Sequence, residues 1–409
     1  MKPDKDLLYK YAELAVKVGV NLQKGQLLEI STPVECEEFA LILAEVAYMN
    51  GAGRVLIDRR SDIENRLAYT YSSAEELEKV PAWFVEKKNY LVTEGACRIA
   101  IDADDPEALK GLDEAKIARR SSAYNKALKS YSDAIMGNAI RWCVIAYPSY
   151  NWAKLMFPES GDPEAELFEA IKHTVRLDSD DPVAAWNDHI ETLNRHAKIM
   201  NDYDFSYLRY ETSAGTNLKV GLAKDAVWLP AQEKAKDGVP FIANMPTEEV
   251  FTAPDNTRID GVVKNALPLS YNGTIIDGFS VTFKDGKVID FSAEQGYETL
   301  KALINTDEGT KSLGEMALVG KNSPIAKSKL LFYNTLFDEN ASCHFAFGQA
   351  YPTTIKGGGD MTAEELAAHN ANDSVEHVDF MVGTEDLKIT GVTKDGKEVV
   401  VFIDGEWAF

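Results

Sequence analysis

Sulfur and imidazole are scarce in this chain of 409 residues, and basic charge is in short supply. Only four cysteines occur, Cys36, Cys97, Cys143 and Cys343, all far apart and none in a CxxC pair. That excludes a disulfide framework and a four-cysteine zinc site, and it points to a reducing, cytoplasmic setting. Lys and Arg number 43 against 65 Asp and Glu, a net charge of −22. Nucleic acid is a poor partner for such a chain, because phosphate binding requires clustered Lys and Arg. An anionic membrane surface is a poor partner for the same reason. No apolar run approaches the roughly 18 residues that span a bilayer. The opening residues are charged and periodic and lack the apolar core of a signal peptide. Three N-x-S/T triplets, at Asn272, Asn340 and Asn372, are therefore chance matches. GxGxxG and Walker motifs are both missing, and Gly51-Ala52-Gly53 precedes a strand-like segment, so it reads as a helix end and not as a phosphate loop.

What is present is an ordinary globular composition, 45 % hydrophobic and 26 % charged, in a chain long enough for two or three domains of about 150 residues. In the first half, Leu7, Leu8, Tyr11, Leu14, Ala15 and Val18 recur at three- and four-residue steps, predicting an amphipathic helix. Short apolar segments at 26–30, 54–57, 97–101 and 142–146 alternate with helical patterns at 35–49, 73–79 and 112–138. That alternation predicts a mainly parallel sheet with helices on both faces. A capped helix start at 178–182 runs to about residue 200, where the texture changes. Segments 205–212, 217–221, 275–276, 280–283, 288–292, 387–392 and 398–403 read as strands. Lys284-Asp285-Gly286-Lys287 and Lys394-Asp395-Gly396-Lys397 read as hairpin turns. The expectation is an α/β fold: an N-terminal α/β domain over 1–200 and a β-rich α+β domain over 201–409.

Six histidines occur. His173, His189 and His196 lie in charged helical segments, where a solvated face is the default, and His369 lies in a polar helix. His377 and Asp379 stand two apart in a strand pattern and so share one face. That pair suits a metal ion, or a plain hydrogen-bonded pair at a sheet surface. His344 follows Glu339 by five residues, and Cys343 next to it reads as structural, because its side chain points to the opposite face. Glu315 lies in the apolar segment 313–319, and Glu248 and Glu249 in 244–254. A carboxylate in such surroundings is costly unless paired or metal-bound, and pattern alone does not separate Glu248 from Glu249. Three glutamates, one aspartate and two imidazoles make a donor set for a pair of divalent ions such as Zn²⁺, Co²⁺, Mn²⁺ or Mg²⁺.

Segments 244–254, 314–319, 339–352 and 372–383, with looser likeness at 11–16 and 25–30, resemble the aminopeptidase T / aminopeptidase S (PepS-type) family of dinuclear-metal leucyl aminopeptidases. The resemblance spans the whole chain. It implies a metallo-aminopeptidase that removes the N-terminal residue of peptides with a water activated by two metal ions per subunit. It places the metal ligands at Glu249, Glu315, Glu339, His344, His377 and Asp379, and the active-site tyrosine at Tyr351. Glu249 and Glu315 are the candidates for shuttling a proton to the leaving amine. Glu376 is charged where the family pattern suggests an uncharged residue. The resemblance also implies a homodimer acting on peptides with a free N-terminal amine; the cytoplasmic setting and the absence of nucleic acid or membrane partners are the expectations drawn above from cysteine usage and charge. The competing readings are a dinuclear metal phosphoesterase, which would want Arg or Lys around the metals, and a non-enzymatic metal- or peptide-binding protein.

Overall fold

A computed structural model describes residues 3–271 and 274–409; the Asn272 triplet lies outside the described residues. The other two triplet asparagines, Asn340 and Asn372, are buried. The chain forms two compact units, one of residues 1–188 and 232–246, the other of residues 189–231 and 247–409. The division falls inside the helix Pro182–Tyr203.

The first unit is built on a parallel sheet. Strands β1 (Leu27–Pro33), β2 (Arg54–Arg60), β3 (Cys97–Asp102) and β4 (Trp142–Ala146) take the spatial order β4-β3-β1-β2, and the two-residue strand Asn244–Met245 adds to the outer edge of β4. All four pairings are parallel. Every residue of the central strand β1 is buried, as expected for a parallel sheet covered on both faces. Helices begin where caps permit: Ser61 accepts the N–H of Glu64 at the start of Asp62–Tyr71, and Asp113 caps Glu114–Ala127. The segment 112–138, expected as one long helix, is two helices, Glu114–Ala127 and Lys129–Met136. Leu128 between them has a non-helical backbone (φ −97°, ψ 8°), and neither Gly nor Pro marks that break in the sequence.

The second unit is antiparallel. One eight-stranded sheet contains, among others, Phe205–Glu211, Asn217–Leu222, Pro254–Lys264, Ser280–Lys284, Lys388–Thr393 and Glu398–Ile403. The turn at Asp285 and Gly286 has positive φ at both residues, 48° and 81°, which suits a tight hairpin between right-twisted strands. The other sheet has five strands. Here β5 (Val250–Thr252), β6 (Leu313–Leu318), β7 (His344–Gly348) and β8 (His377–Met381) follow one another side by side, with Leu229–Pro230 on the outer edge of β5. One core holds both sheets. Leu208, Val220, Ile259 and Phe283 from the first meet Leu313, Met316, Leu318, Phe345, Phe347, Val378 and Phe380 from the second. Because strand side chains alternate, this burial hands the remaining face of the five-stranded sheet to a different set of residues. Among the described residues, no helix is long and apolar enough to cross a membrane.

Candidate metal centre

The face of β6, β7 and β8 turned away from the core carries the acids and imidazoles. On β7, Phe345 and Phe347 enter the core, so His344, Ala346 and Gly348 face the other way. On β8, Val378 and Phe380 enter the core, leaving His377 and Asp379 beside them. Register aligns the rows: Glu315 opposes Ala346, which opposes Asp379, and Gly348 opposes His377. Between the functional groups stand Ala317, Ala346 and Gly348, side chains too small to fill the space above the sheet.

Glu315 reaches this face through a break in register. Leu313 opposes Phe347 and Glu315 opposes Ala346, so Gly314 is an extra residue in β6. Without that bulge Glu315 would oppose Phe345 and point into the core. Only glycine fits there: a Cβ on residue 314 would lie 2.2 Å from the carbonyl oxygen of Gly348 and 2.3 Å from that of Gln349. The Gln349 carbonyl accepts from His377 Nδ1 at 2.7 Å, so Gly314 also makes room for the group that orients His377.

The ligating atoms converge. Glu249, Glu315 and His344 form one group of three donors, and Glu315, His377 and Asp379 form a second, with the donor atoms of each within 4.8 Å of one another. His344 Nε2 lies 3.1 Å from Glu249 Oε2 and 3.8 Å from Glu315 Oε1. His377 Nε2 lies 3.3 Å from Glu315 Oε2 and 3.4 Å from Asp379 Oδ1. Both imidazoles are oriented from behind: Nδ1 of His344 meets the Ser342 carbonyl at 3.2 Å, and Nδ1 of His377 meets that of Gln349. A backbone carbonyl can only accept, so each Nδ1 carries a proton and Nε2 is the nitrogen turned toward the acidic cluster. Glu339 lies within electrostatic reach of Asp379 and Glu249. Tyr351 packs against His377, with ring centroids 4.8 Å apart.

The electrostatics show what the cluster needs. Burial raises the pKa of Glu249, only partly offset by His344. Burial, with the charges of Asp379 and Glu249, raises Glu339 well above the usual carboxylate range. Asp379 is also penalised by burial, but His377 outweighs it and the net shift is downward. Burial lowers both imidazoles, yet the surrounding carboxylates win and raise them. Among the described residues, no Lys or Arg forms an ion pair with any of the four carboxylates; the histidines are the ion-pair partners of Glu249, Glu315 and Asp379. Glu249 Oε2 is buried 3.1 Å from His344 Nε2 without a well-formed hydrogen bond. Hard oxygens in excess and two imidazole nitrogens turned toward them fit divalent cations.

Several neighbours follow no sequence pattern. Asn340, fully buried, accepts the N–H of Glu248 and approaches Glu339 Oε1 with its amide nitrogen. His189 is mostly buried rather than solvated, with Nε2 at 2.8 Å from the Thr247 carbonyl. His196 is buried against Trp407, with centroids 4.2 Å apart, whereas His173 is exposed and pairs with Asp178. The two buried histidines share their helix face with Leu193, Ala197 and Met200 of the core, a face hidden by the charged residues between them. Cys343 sits in the core, where burial pushes its thiol up to about 12.

The chain as a whole is similar to known proteins. A sequence model of the family described as "Thermophilic metalloprotease (M29)" matches residues 4–407. Aminopeptidase 2 of Geobacillus stearothermophilus is 45 % identical over 98 % of each chain. Aminopeptidase AmpS of Bacillus subtilis is 41 % identical, again over 98 % of each. The solved structure of wild-type AmpT from Thermus thermophilus superposes with a TM-score of 0.93 at 37 % identity, covering 99 % of this chain and 100 % of that one.

Proposed function

Because this chain belongs to the M29 family of metalloproteases, we propose that Glu249, Glu315, Glu339, His344, His377 and Asp379 hold two divalent ions for the hydrolysis of the first peptide bond of a peptide. The activity itself is that of a metal-dependent aminopeptidase, as the relatives' names state. The observation that supports two ions is the position of Glu315, which belongs to both donor groups. With ions bound, the four carboxylates would be ionised and the two imidazoles neutral, a charge of −4 that two divalent ions would balance. Zn²⁺, Co²⁺, Mn²⁺ and Mg²⁺ all suit the donors.

Divalent ions bound there supply Lewis acidity toward the scissile carbonyl and lower the pKa of a water toward neutrality. The residues of the chain do the rest. His344 and His377, fixed through Nδ1, aim Nε2 into the site, where it would ligate once its proton is displaced by a bound ion. Glu249 and Glu315, the two carboxylates facing His344, are the groups placed to carry a proton to the leaving amine. The acidic face receives the substrate's cationic α-amine, which sets the exopeptidase register. Tyr351, whose pKa is raised well above its ordinary value by burial and by Glu315 and Asp379, remains a protonated phenol and donates to the developing oxyanion. Catalysis accordingly resides in residues 201–409. A homodimeric, cytoplasmic enzyme completes the proposal; the four free, buried cysteines suit a reducing compartment. Against the phosphoesterase alternative, no Lys or Arg among the described residues is paired with the cluster.

The test uses Leu-p-nitroanilide and its N-acetylated form. Dialysis against EDTA abolishes cleavage of the first, added divalent metal restores it, and the blocked substrate stays intact throughout. Full activity in metal-free protein, or cleavage of the blocked substrate, overturns the reading.

A further inference from the structure

The metal-facing side of the five-stranded sheet has a second character beyond its acids. Reading across the strands through the register, Leu229 opposes Phe251, Phe251 opposes Ala317, Ala317 opposes His344 and His344 opposes Met381. Directly opposed residues share a face, so this row crosses the metal-facing side from edge to edge. Its two ends differ. Met381 is 3 % exposed, and the backbone N–H of Ala266 covers its carbonyl at 2.8 Å. Leu229 and Phe251 are only half-buried. Neither belongs to the hydrophobic core, whereas Val250 beside Phe251 and Trp228 beside Leu229 do.

A large aromatic and an aliphatic side chain are thus held away from the core on the same face as the metal-binding residues. Ala317, a single methyl, separates them from His344. Neighbouring strands lie about 4.8 Å apart, so Phe251 stands two strand spacings, about 10 Å, along the row from His344. Phe251 also packs edge to face on Tyr351, with centroids 6.0 Å apart, and Tyr351 in turn packs on His377. The aromatic wall is therefore continuous with the reacting centre. Leu229, Phe251 and Ala317 present only apolar side chains along the row, so a branched aliphatic side chain directed along it buries apolar surface against them.

We propose that Phe251, with Leu229 beside it, is a specificity-determining residue that receives the side chain of the substrate's N-terminal amino acid and selects for apolar, branched side chains. This rests on the aminopeptidase reading above and adds the direction in which the substrate lies: its first side chain runs from the acids toward the Leu229 edge, not toward Met381.

The experiment compares kcat/KM on leucyl-, alanyl- and lysyl-p-nitroanilide for the metal-loaded wild type, Phe251→Ala and Leu229→Glu. A hydrophobic contact to an added methylene or two discriminates by roughly 10- to 200-fold. Phe251→Ala is expected to lower the leucyl-to-alanyl ratio by about tenfold or more, and Leu229→Glu to raise the lysyl-to-leucyl ratio by a similar factor. Binding of leucinol against alaninol, measured by calorimetry, should move with the first ratio. Ratios within twofold of wild type in both variants overturn the assignment, as does an equal fall on all three substrates with metal content retained. Should Phe251→Ala fail to fold, the edge residue Leu229 decides the matter alone. A wild type inactive on every aminoacyl substrate would contradict the aminopeptidase reading itself, a result distinct from unchanged ratios.

Discussion

The side-chain oxygen of Asn340 accepts the backbone N–H of Glu248 at 2.7 Å, tying the segment that carries Glu249 to the one that carries Glu339. The amide nitrogen of the same residue lies 3.2 Å from the Leu336 carbonyl and 3.3 Å from Glu339 Oε1. Asn340 is fully buried, so water cannot substitute for it. Replacing it with Leu, of similar size, strands a buried N–H and a carbonyl at about 1–3 kcal/mol. Residues that orient metal ligands typically change affinity by about 10- to 100-fold. Asn340→Leu is therefore expected to weaken metal binding by that order, measured by competition with a chelating dye. Unchanged affinity in a folded variant would show that the tie does not position the ligands.

Tyr351→Phe separates binding from chemistry. The proposed ligands are carboxylates and imidazoles, and a phenol held protonated is no ligand, so metal content should match wild type. Loss of a donor aimed at an oxyanion costs on the order of 10²–10³ in kcat. The variant should show that fall in kcat on Leu-p-nitroanilide with metal content retained, read by elemental analysis beside steady-state kinetics. An unchanged kcat removes Tyr351 from the oxyanion role.

What the sequence revealed of this site, and what it hid, follows from the range of the forces involved. The His377–Asp379 pair was legible because a strand alternates with period two, and Cys343 was legible as a core residue for the same reason. The parallel sheet of the first unit was legible from short apolar segments spaced by helices. The role of Gly314 was not, because a bulge is a property of the pairing between two strands and appears in neither alone. Nor was the burial of His189 and His196, whose helix looks solvated until the second unit covers one side of it. The stretch 232–246, which belongs with the first unit although it interrupts the second, has no compositional signature, since its attachment lies in long-range contacts such as Asn138 to Glu233 at 2.6 Å.

His196 links stability to acid. Burial, followed by the charge of Arg195, lowers its pKa from 6.5 to about 4. The unfolded chain takes up a proton near pH 6.5 that the native state refuses until about pH 4. Stability from this group is therefore full above pH 6.5 and is lost as pH falls from there to about 4, by up to roughly 3 kcal/mol. Urea denaturation at pH 7 and pH 4.5 should show a smaller acid-induced loss in His196→Phe than in wild type. An equal loss in both proteins contradicts the assignment.

The central claim is that the two donor groups meeting at Glu315 would hold two ions per chain, and metal stoichiometry tests it most directly. Metal-free protein titrated with Zn²⁺ or Co²⁺, with bound metal counted by elemental analysis, should take up two ions per chain. Activity on Leu-p-nitroanilide should reach its maximum only as the second equivalent binds, and Glu315→Gln should weaken both sites together. Saturation and full activity at one ion per chain would contradict the account.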